Sequence, residues 1–264
     1  MRIAAISDVH GNLLALEAVL ADIATQAVDV TVNLGDILSG PLWVAETADL
    51  LRTLKLPTLS GNHERQLLAG PTERMGASDA HAARKLGDEQ RAWLAALPAT
   101  LRLSDEVFCC HGTPASDLQY FLDTVTPDRR GSDAPGVRAA TLAEAAQRAG
   151  GTLRGVGSAL ILCGHTHVPR LMQLGDGRLV VNTGSVGLQA YDDEHPHPHI
   201  VENHSPHARY AVLTRRPAGW QVDLRCVPYD HEAAAVLALA HGRPDWAVAL
   251  RTGFVGGSAA SATH

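Results

Sequence analysis

The chain has 264 residues, 45% of them hydrophobic, with a formal net charge of −6 and a pI near 6.1. This length and apolar content suffice for one sizeable core, so we expect one domain over residues 1–252 and a disordered tail over residues 253–264. The acidic balance argues against a broad nucleic-acid surface, and we expect no long nucleic acid as a partner. The apolar runs fall far short of the roughly 20 residues that a membrane span requires, so we expect no membrane partner either.

The cysteines and the start of the chain bear on location. Cys109, Cys110, Cys163 and Cys226 show no Cys-x-x-Cys spacing, and we interpret them as reduced core thiols. Residues 2–7 already have the pattern of a first core strand, which leaves no room for a targeting segment before it. We therefore expect a cytoplasmic protein.

The first hundred residues alternate between predicted strands and helices. Asn12 is expected to cap the first helix, and Pro41 to be the first residue of the second. The expected elements are strands at 3–7, 28–34 and 58–60, and helices from residue 13, over 42–55 and through residue 93. This alternation predicts a largely parallel sheet with covering helices.

The second half of the chain is rich in predicted strands. These lie at 100–103, 106–110, 158–163, 169–173, 178–182, 208–214 and 220–227, followed by helices at 231–241 and 244–251. Turn-forming residues predict loops at 126–136 and 190–207. We expect an α/β fold in which two sheets pack face to face with helices outside.

Five short polar clusters each follow an apolar run. They are Asp8-Val9-His10, Gly35-Asp36, Gly61-Asn62-His63-Glu64, His111-Gly112 and Gly164-His165-Thr166-His167. An isolated Asp-x-His or Gly-Asp is more often a turn or a helix cap than a ligand, and the two four-residue clusters alone are explained equally well in either way. All five, however, fall where a predicted strand ends, which is where open α/β sheets bind ligands. Their two aspartates, one asparagine and five histidines are typical ligands of a paired transition-metal site. The glycines beside them predict tight turns that pass close to the metals.

The full set resembles the calcineurin-like metallophosphoesterase superfamily, whose pattern is Asp-x-His, Gly-Asp, Gly-Asn-His-Asp/Glu, His and Gly-His-x-His. The resemblance covers residues 1–185 or so and is closest to the small bacterial and archaeal phosphodiesterase branch. It implies a four-layer αββα sandwich of two mixed β-sheets flanked by helices. It also implies a first metal held by Asp8, His10, Asp36 and His167, and a second held by Asp36, Asn62, His111 and His165. His63 matches the family's catalytic histidine, which is not a ligand.

One segment departs from many relatives, including the protein phosphatases. In those proteins the Gly-Asp segment runs on to Asp-Arg-Gly, whose arginine grips phosphate, whereas residues 35–41 here contain no arginine. The departure argues against a protein phosphatase or a dinucleoside tetraphosphatase. Three residues are substrate-contact candidates: Arg65, which could also be a helix-surface arginine; Tyr120, which could also pack in the core; and Asn12, which could also serve only as a helix cap.

We therefore expect a metal-dependent phosphodiesterase that acts on a small-molecule or nucleotide phosphoester. A hydroxide activated between two divalent ions would attack phosphorus in line, and His63 would protonate the leaving oxygen as general acid. Nitrogen and oxygen ligands without a thiolate favour Mn²⁺, with Fe²⁺, Zn²⁺ or Ni²⁺ as alternatives. The alternative functions are a phosphomonoesterase or nucleotide pyrophosphatase, and a non-catalytic scaffold of the same fold. A homodimer is the expected assembly.

A histidine-rich segment stands outside these clusters. His195, His197 and His199 alternate with prolines beside three acidic residues. The segment is interpreted as a solvated loop, with two alternatives: a rim over the active site that orders on substrate binding, and a third metal site.

Overall fold

The computed structural model describes residues 1–127, 136–150 and 158–256. The strands are β1 (Arg2–Ile6), β2 (Val30–Asn33), β3 (Thr100–Ser104), β4 (Val107–Cys110), β5 (Asp123–Val125), β6 (Val137–Ala139), β7 (Leu160–Cys163), β8 (Arg170–Gln173), β9 (Leu179–Asn182), β10 (Ala190–Asp193), β11 (His199–Glu202), β12 (Ala208–Arg216) and β13 (Gly219–Val227). The α-helices are α1 (Leu13–Ala24), α2 (Val44–Leu54), α3 (Asn62–Leu68), α4 (Ala77–Lys85), α5 (Asp88–Ala95), α6 (Leu142–Ala149), α7 (His231–Ala240) and α8 (Pro244–Thr252). A short 3₁₀ helix, Thr72–Arg74, precedes α4.

Two mixed sheets form the centre of the fold. One has four strands in the order β13-β12-β1-β2, and the other has five in the order β3-β4-β7-β9-β8. The parallel pairs are β1 with β2, β4 with β7 and β7 with β9, and the remaining neighbours are antiparallel. Because β1, β2, β4 and β7 carry the parallel pairings, the loops after them open at one edge of each sheet.

The alternation of side chains along β1 places the four-stranded sheet between two apolar layers. Ile3 and Ala5 pack into a cluster shared with the five-stranded sheet. Ala4 and Ile6 point to the opposite face, where they pack with Leu16 of α1 and with the following helices. Successive side chains on a strand face opposite sides, so a single strand contributes to both layers.

The five-stranded sheet is covered in the same way. Leu160 and Leu162 of β7 belong to the cluster between the sheets, while Ile161 and Cys163 pack outward with Ala145 of α6. The order of layers is helices, sheet, sheet, helix. The predicted four-layer αββα sandwich is therefore confirmed.

Two of the predicted elements in the first half differ from the structure. The short strand at 58–60 is reduced to one parallel bridge, between Asn33 and Thr58. Pro41 does not open α2, because the amide of Trp43 is held by the carbonyl of Gly11 and the helix begins only at Val44.

One of the two segments predicted as loops contains strands. Residues 190–207 include the antiparallel hairpin of β10 and β11, whose polar sequence hides the pairing. Of the predicted loop at 126–136, residues 128–135 lie outside the described residues, and its ends are joined by a hydrogen bond from the Thr126 amide to Gly136. Helix α6 was not predicted, because alanines supply its buried face.

Two further predictions need correction. Cys226 is exposed, whereas the other three cysteines are buried free thiols. The predicted tail starts too early: Gly253 ends α8 and Phe254 stacks on His204 at 4.8 Å between ring centroids. Residues 257–264 lie outside the described residues. None of the described helices is long and apolar enough to cross a membrane.

Candidate dinuclear metal centre

The loops after β1, β2, β4 and β7 bring six side chains together in two groups. One group is Asp8, His10 and His167, and the other is Asp36, His111 and His165; within each group the candidate ligand atoms lie within 4.8 Å of one another. The groups adjoin, since Nε2 of His111 lies 2.9 Å from Asp36 and 4.0 Å from Asp8. Side chains from both sheets therefore line one centre.

The imidazoles are oriented by the backbone. In His10, His111 and His167 the Nδ1 atom lies 2.7 to 2.8 Å from a backbone carbonyl oxygen. The carbonyls belong to Ser39, Leu34 and Leu188 respectively. When Nδ1–H donates to a carbonyl, Nε2 carries the free lone pair of the ring. This is the arrangement found in metal-ligating histidines.

Several polar atoms of the centre lack the partners that burial normally requires. Nε2 of His10 lies 3.1 Å from Nε2 of His167, although both rings already present their Nδ1 atoms to carbonyls. Asp8 Oδ1 and Asn62 Oδ1 are buried with no hydrogen-bond partner among the described residues. Burying lone pairs that point at one another costs free energy unless a cation lies between them. The donor set therefore fits two divalent ions, with Asn62 as a further oxygen ligand.

The charge states suit that role. Burial lowers the pKa of His10 to about 4, helped by the neighbouring His167, and burial likewise lowers that of His165 to about 4. Burial alone would raise the pKa of Asp36, but the facing His111 and His63 hold it well below its ordinary value. Burial alone would lower the pKa of His111, but the facing Asp36 raises it to about 10, so a metal at this ligand would displace a proton. Neutral imidazoles and an ionised carboxylate are the forms that bind metal.

The backbone at these residues is strained. Five of the candidate ligands have φ in the left-handed region, at 52° to 70°. They are Asp8, His10, Asp36, His165 and His167. Such conformations cost of order 1–3 kcal/mol each for a residue other than glycine, and they cluster at functional sites.

Two of the cluster glycines allow close approach of the carboxylates. A Cβ at Gly61 would lie 2.8 Å from Cγ of Asp36, and one at Gly164 would lie 2.6 Å from Oδ2 of Asp8. Any larger residue at either position would displace a ligand. The backbone therefore passes close to the centre at both glycines, as expected.

His63 stands beside the centre rather than in either group. Its Nδ1 lies 2.8 Å from Oδ1 of Asp79 in α4, and its ring centroid is 5.6 Å from that of His10. Burial alone would lower its pKa, but Asp36 and Asp79 raise it to about 9. His63 therefore holds a proton at neutral pH. Asp79 was missed from the sequence, where nothing marks an acidic residue 16 positions later as its partner.

A family model described as the calcineurin-like phosphoesterase superfamily domain matches residues 1–203. The chain belongs to this superfamily. No curated protein matches it. A metallophosphoesterase from Sphaerobacter thermophilus has a similar structure, with 25% identity, a TM-score of 0.68 and coverage of 95% of this chain and 98% of that one.

Two further solved structures are more distant. The phosphoesterase Yfce from E. coli is 17% identical, with a TM-score of 0.42 and coverage of 86% of this chain and 100% of that one. An archaeal phosphodiesterase is 14% identical, with a TM-score of 0.43 and coverage of 85% and 100%.

Glu64 is a second residue of this phosphoesterase whose role the sequence did not reveal. Its buried carboxylate accepts hydrogen bonds from the amides of Asp36 and Gly61 through Oε2, and from Ile37 through Oε1, each at 2.8 Å. Burial and the nearby Asp36 raise its pKa to about 7. Glu64 thus ties the start of α3 to the Asp36 loop.

A cavity of about 1100 Å³ opens over the centre. Tyr120 lies in its wall, and its hydroxyl is 2.6 Å from that of Tyr191 and 2.9 Å from Nε2 of His199. Its ring stands edge-on to His165 at 5.0 Å between centroids. Tyr120 is therefore placed to meet a ligand, and stacking on a planar group stays a prediction.

The other two substrate-contact candidates do not reach the cavity. Asn12 is fully buried and caps α1: its Oδ1 accepts from the Ala15 amide, and its Nδ2 donates to Gly187 and Tyr229. Arg65 is half-exposed and forms a bidentate pair with Asp117 at 2.8 and 2.9 Å. A phosphate contact by either is not supported, because neither residue lines the cavity.

The solvated loop predicted for the histidine-rich segment is present between β10 and β11, where most residues are exposed, and part of this loop also lines the cavity. His199 is buried in β11 against Tyr120, and the exposed His195 lies at the rim of the cavity. Within the described ranges, the two groups above are the only clusters of ligand atoms close enough to hold a metal. A third metal site in this segment therefore finds no support.

Proposed function

We propose that this chain is a dinuclear metal-dependent phosphodiesterase acting on a small-molecule or nucleotide substrate. The observation that carries the proposal is the pairing of two adjoining ligand groups with a protonated histidine beside them. That arrangement combines charge neutralisation at phosphorus with a proton source for the leaving oxygen.

The residues divide between two ions. Asp8, His10 and His167 would hold the first, and Asn62, His111 and His165 the second, with Asp36 between them. Two such ions supply Lewis acidity and a hydrolytic nucleophile at neutral pH. The mixed nitrogen and oxygen donor set, which lacks a thiolate, is compatible with Mn²⁺, the ion that we propose, and with Fe²⁺, Zn²⁺ and Ni²⁺ as alternatives.

His63 would act as the general acid. Asp79 holds Nδ1 at 2.8 Å, so the proton that can be transferred sits on Nε2. In the reaction, a water molecule adds to phosphorus and gives up a proton, the bond to the leaving oxygen breaks, and that oxygen takes the Nε2 proton, which the proton from the water replaces. Asp79 stabilises the protonated ring before transfer and fixes its orientation.

The cavity supports a diester rather than a monoester. Its volume of about 1100 Å³ is at the upper end of ligand cavities, which leaves room for organic groups on both sides of phosphorus. Arg65, the candidate phosphate cation nearest in sequence to the ligand clusters, is turned away to Asp117. A monoester dianion would need such a cation more than a singly charged diester does.

Turnover of bis(p-nitrophenyl) phosphate and p-nitrophenyl phosphate by the Mn²⁺-loaded protein tests the proposal. We expect a higher kcat/KM for the diester and loss of both activities on chelation. A preference for the monoester would favour a phosphomonoesterase. Absence of turnover with two bound ions per chain, confirmed by elemental analysis, would favour a scaffold.

A further inference from the structure

The C-terminal helices add a cation to the cavity. Arg243, Asp245 and Trp246 all lie in its wall, at the start of α8. They fall outside residues 1–203, the part of the chain that matches the superfamily. Any contact they make with substrate is therefore supplied by a segment beyond the matched domain.

Hydrogen bonds fix the Arg243 guanidinium, but two of its N–H groups remain available to a ligand. Its Nε and one terminal nitrogen form a bidentate pair with Asp245, at 2.6 to 3.2 Å, and the other terminal nitrogen donates to Ser78 Oγ at 2.7 Å. Each terminal nitrogen carries a second N–H, and neither of these makes a hydrogen bond to a described residue. The group is thus oriented in advance to receive an oxygen ligand.

Contacts link Arg243 both to the metal centre and to the His63–Asp79 pair. Its Cζ is 5.6 Å from the centroid of the Trp246 ring, which is 6.0 Å from the His10 ring. On the other side, its partner Ser78 directly precedes Asp79, the residue that holds His63. The guanidinium therefore lies in the part of the cavity wall next to the His63–Asp79 pair.

A second unmet polar group lies at the same end of the cavity. Ser39 lines the cavity, and its fully buried hydroxyl has no hydrogen-bond partner among the described residues. The next residue, Gly40, touches Trp246 so closely that a Cβ there would lie 2.7 Å from the indole. A buried hydroxyl without a partner points to a polar ligand that completes it.

The other arginine among the described residues of the cavity wall already has partners. Arg148 donates to the carbonyls of Phe121 and Asp123 and to the hydroxyl of Thr124, at 2.7 to 2.9 Å. These bonds tie α6 to β5. Arg243 is therefore the better placed of the two to bind a ligand.

We propose that Arg243 binds an anionic substituent of the leaving group, so that the natural substrate is a phosphodiester whose leaving alcohol carries a carboxylate or a second phosphate. The inference rests on the proposed function, because His63 defines the leaving side. The anionic group would accept hydrogen bonds from the two remaining N–H groups, in the bidentate geometry that guanidinium favours.

Two chromogenic diesters test this: methyl 4-nitrophenyl phosphate and methyl 3-carboxy-4-nitrophenyl phosphate, which differ only in a carboxylate on the leaving phenol. We expect the protein to prefer the carboxylated diester in kcat/KM. Arg243→Gln should lower that preference about tenfold, the usual effect of one charge-assisted contact. Asp245→Asn should raise it, because the bound anion then meets a cation without a competing carboxylate.

The matched control is Arg65→Gln, which removes an arginine paired to an aspartate outside the cavity and should leave the preference unchanged. Equal losses on both diesters in Arg243→Gln would make the residue a structural support and overturn the proposal. A lower preference in Asp245→Asn would overturn it too.

A binding experiment distinguishes failure of this inference from failure of the proposed function. If neither diester is hydrolysed, titration calorimetry of the Mn²⁺-loaded protein with benzylphosphonate and 3-carboxybenzylphosphonate measures the same difference without turnover. Tighter binding of the carboxylated phosphonate that is lost in Arg243→Gln would uphold the anion contact. Equal affinities would refute it.

Discussion

At the scale of single residues, the centre is defined by backbone conformation as much as by side-chain type. Asp8 and Asp36 have φ of 55° and 52°, a conformation rarely adopted by residues other than glycine. Of the glycines expected to make the tight turns, Gly35 does so with φ of 95°, whereas Gly61 leaves space beside Asp36. The motif thus fixes which side chains can bind, and the strained turns decide where they point.

His63→Ala should retain bound metal but lose turnover by a factor of about 10²–10⁴, the usual contribution of general acid catalysis. The loss should be greater for a diester with an alkyl leaving group than for one with nitrophenolate, which needs less protonation. Elemental analysis and steady-state kinetics measure the two effects. A rate near that of the wild type on the alkyl diester would contradict the acid role.

Gly61→Ala should abolish metal binding, because the added Cβ overlaps the carboxylate of Asp36. The matched control is Gly70→Ala, since a Cβ at Gly70 meets nothing within 4 Å. Metal content after dialysis and gel filtration compares the two variants. Two ions per chain in the Gly61 variant would show that the loop adapts, against the expected close packing.

At the scale of elements, the acid is assembled from two helices. α3 carries His63 and begins at the Asp36 loop through Glu64, while α4 supplies Asp79. The sequence predicted one helical stretch here. The breaks around the 3₁₀ helix allow α4 to fold back on α3, and only that packing brings Asp79 to the imidazole.

Asp79→Asn should reduce kcat about 10–100-fold, the usual cost of losing a partner that orients a functional histidine. Asp79 raises the pKa of His63, so its removal lowers that pKa and the acid loses its proton at lower pH. The alkaline limb of the kcat profile should therefore move to lower pH. An unmoved limb would mean that Asp79 serves only packing.

At the scale of the whole molecule, one ion-paired cluster joins the helical layer to the edge of the four-stranded sheet. Asp22 of α1 accepts hydrogen bonds from Tyr210 of β12 and from Arg225 of β13, the latter at 3.0 Å. Burial alone would raise the pKa of Asp22, but these two partners lower it below the ordinary 3.8.

The homodimer and the cytoplasmic location stay predictions.

The depressed pKa of Asp22 gives the fold a defined acid sensitivity. As pH falls below about 4, the unfolded chain takes up a proton that the folded carboxylate resists, so the free energy of unfolding decreases. Asp22→Asn should lower stability at neutral pH by about 1 kcal/mol and flatten the decline between pH 5 and pH 3. Urea unfolding of the metal-free protein at both pH values checks this; parallel declines would refute it.

The sequence by itself determined the identity of the candidate ligands and the four-layer class of fold. Both follow from local patterns: polar clusters after apolar runs, and alternation of strands with helices. The tertiary structure alone decided that Asp79 holds His63, that Arg65 and Asn12 turn away from the cavity, and that Arg243 enters it. These contacts join residues 16 to 217 positions apart, as between Asp79 and His63 or Asn12 and Tyr229. Such pairings depend on how helices and sheets pack, which no local pattern encodes.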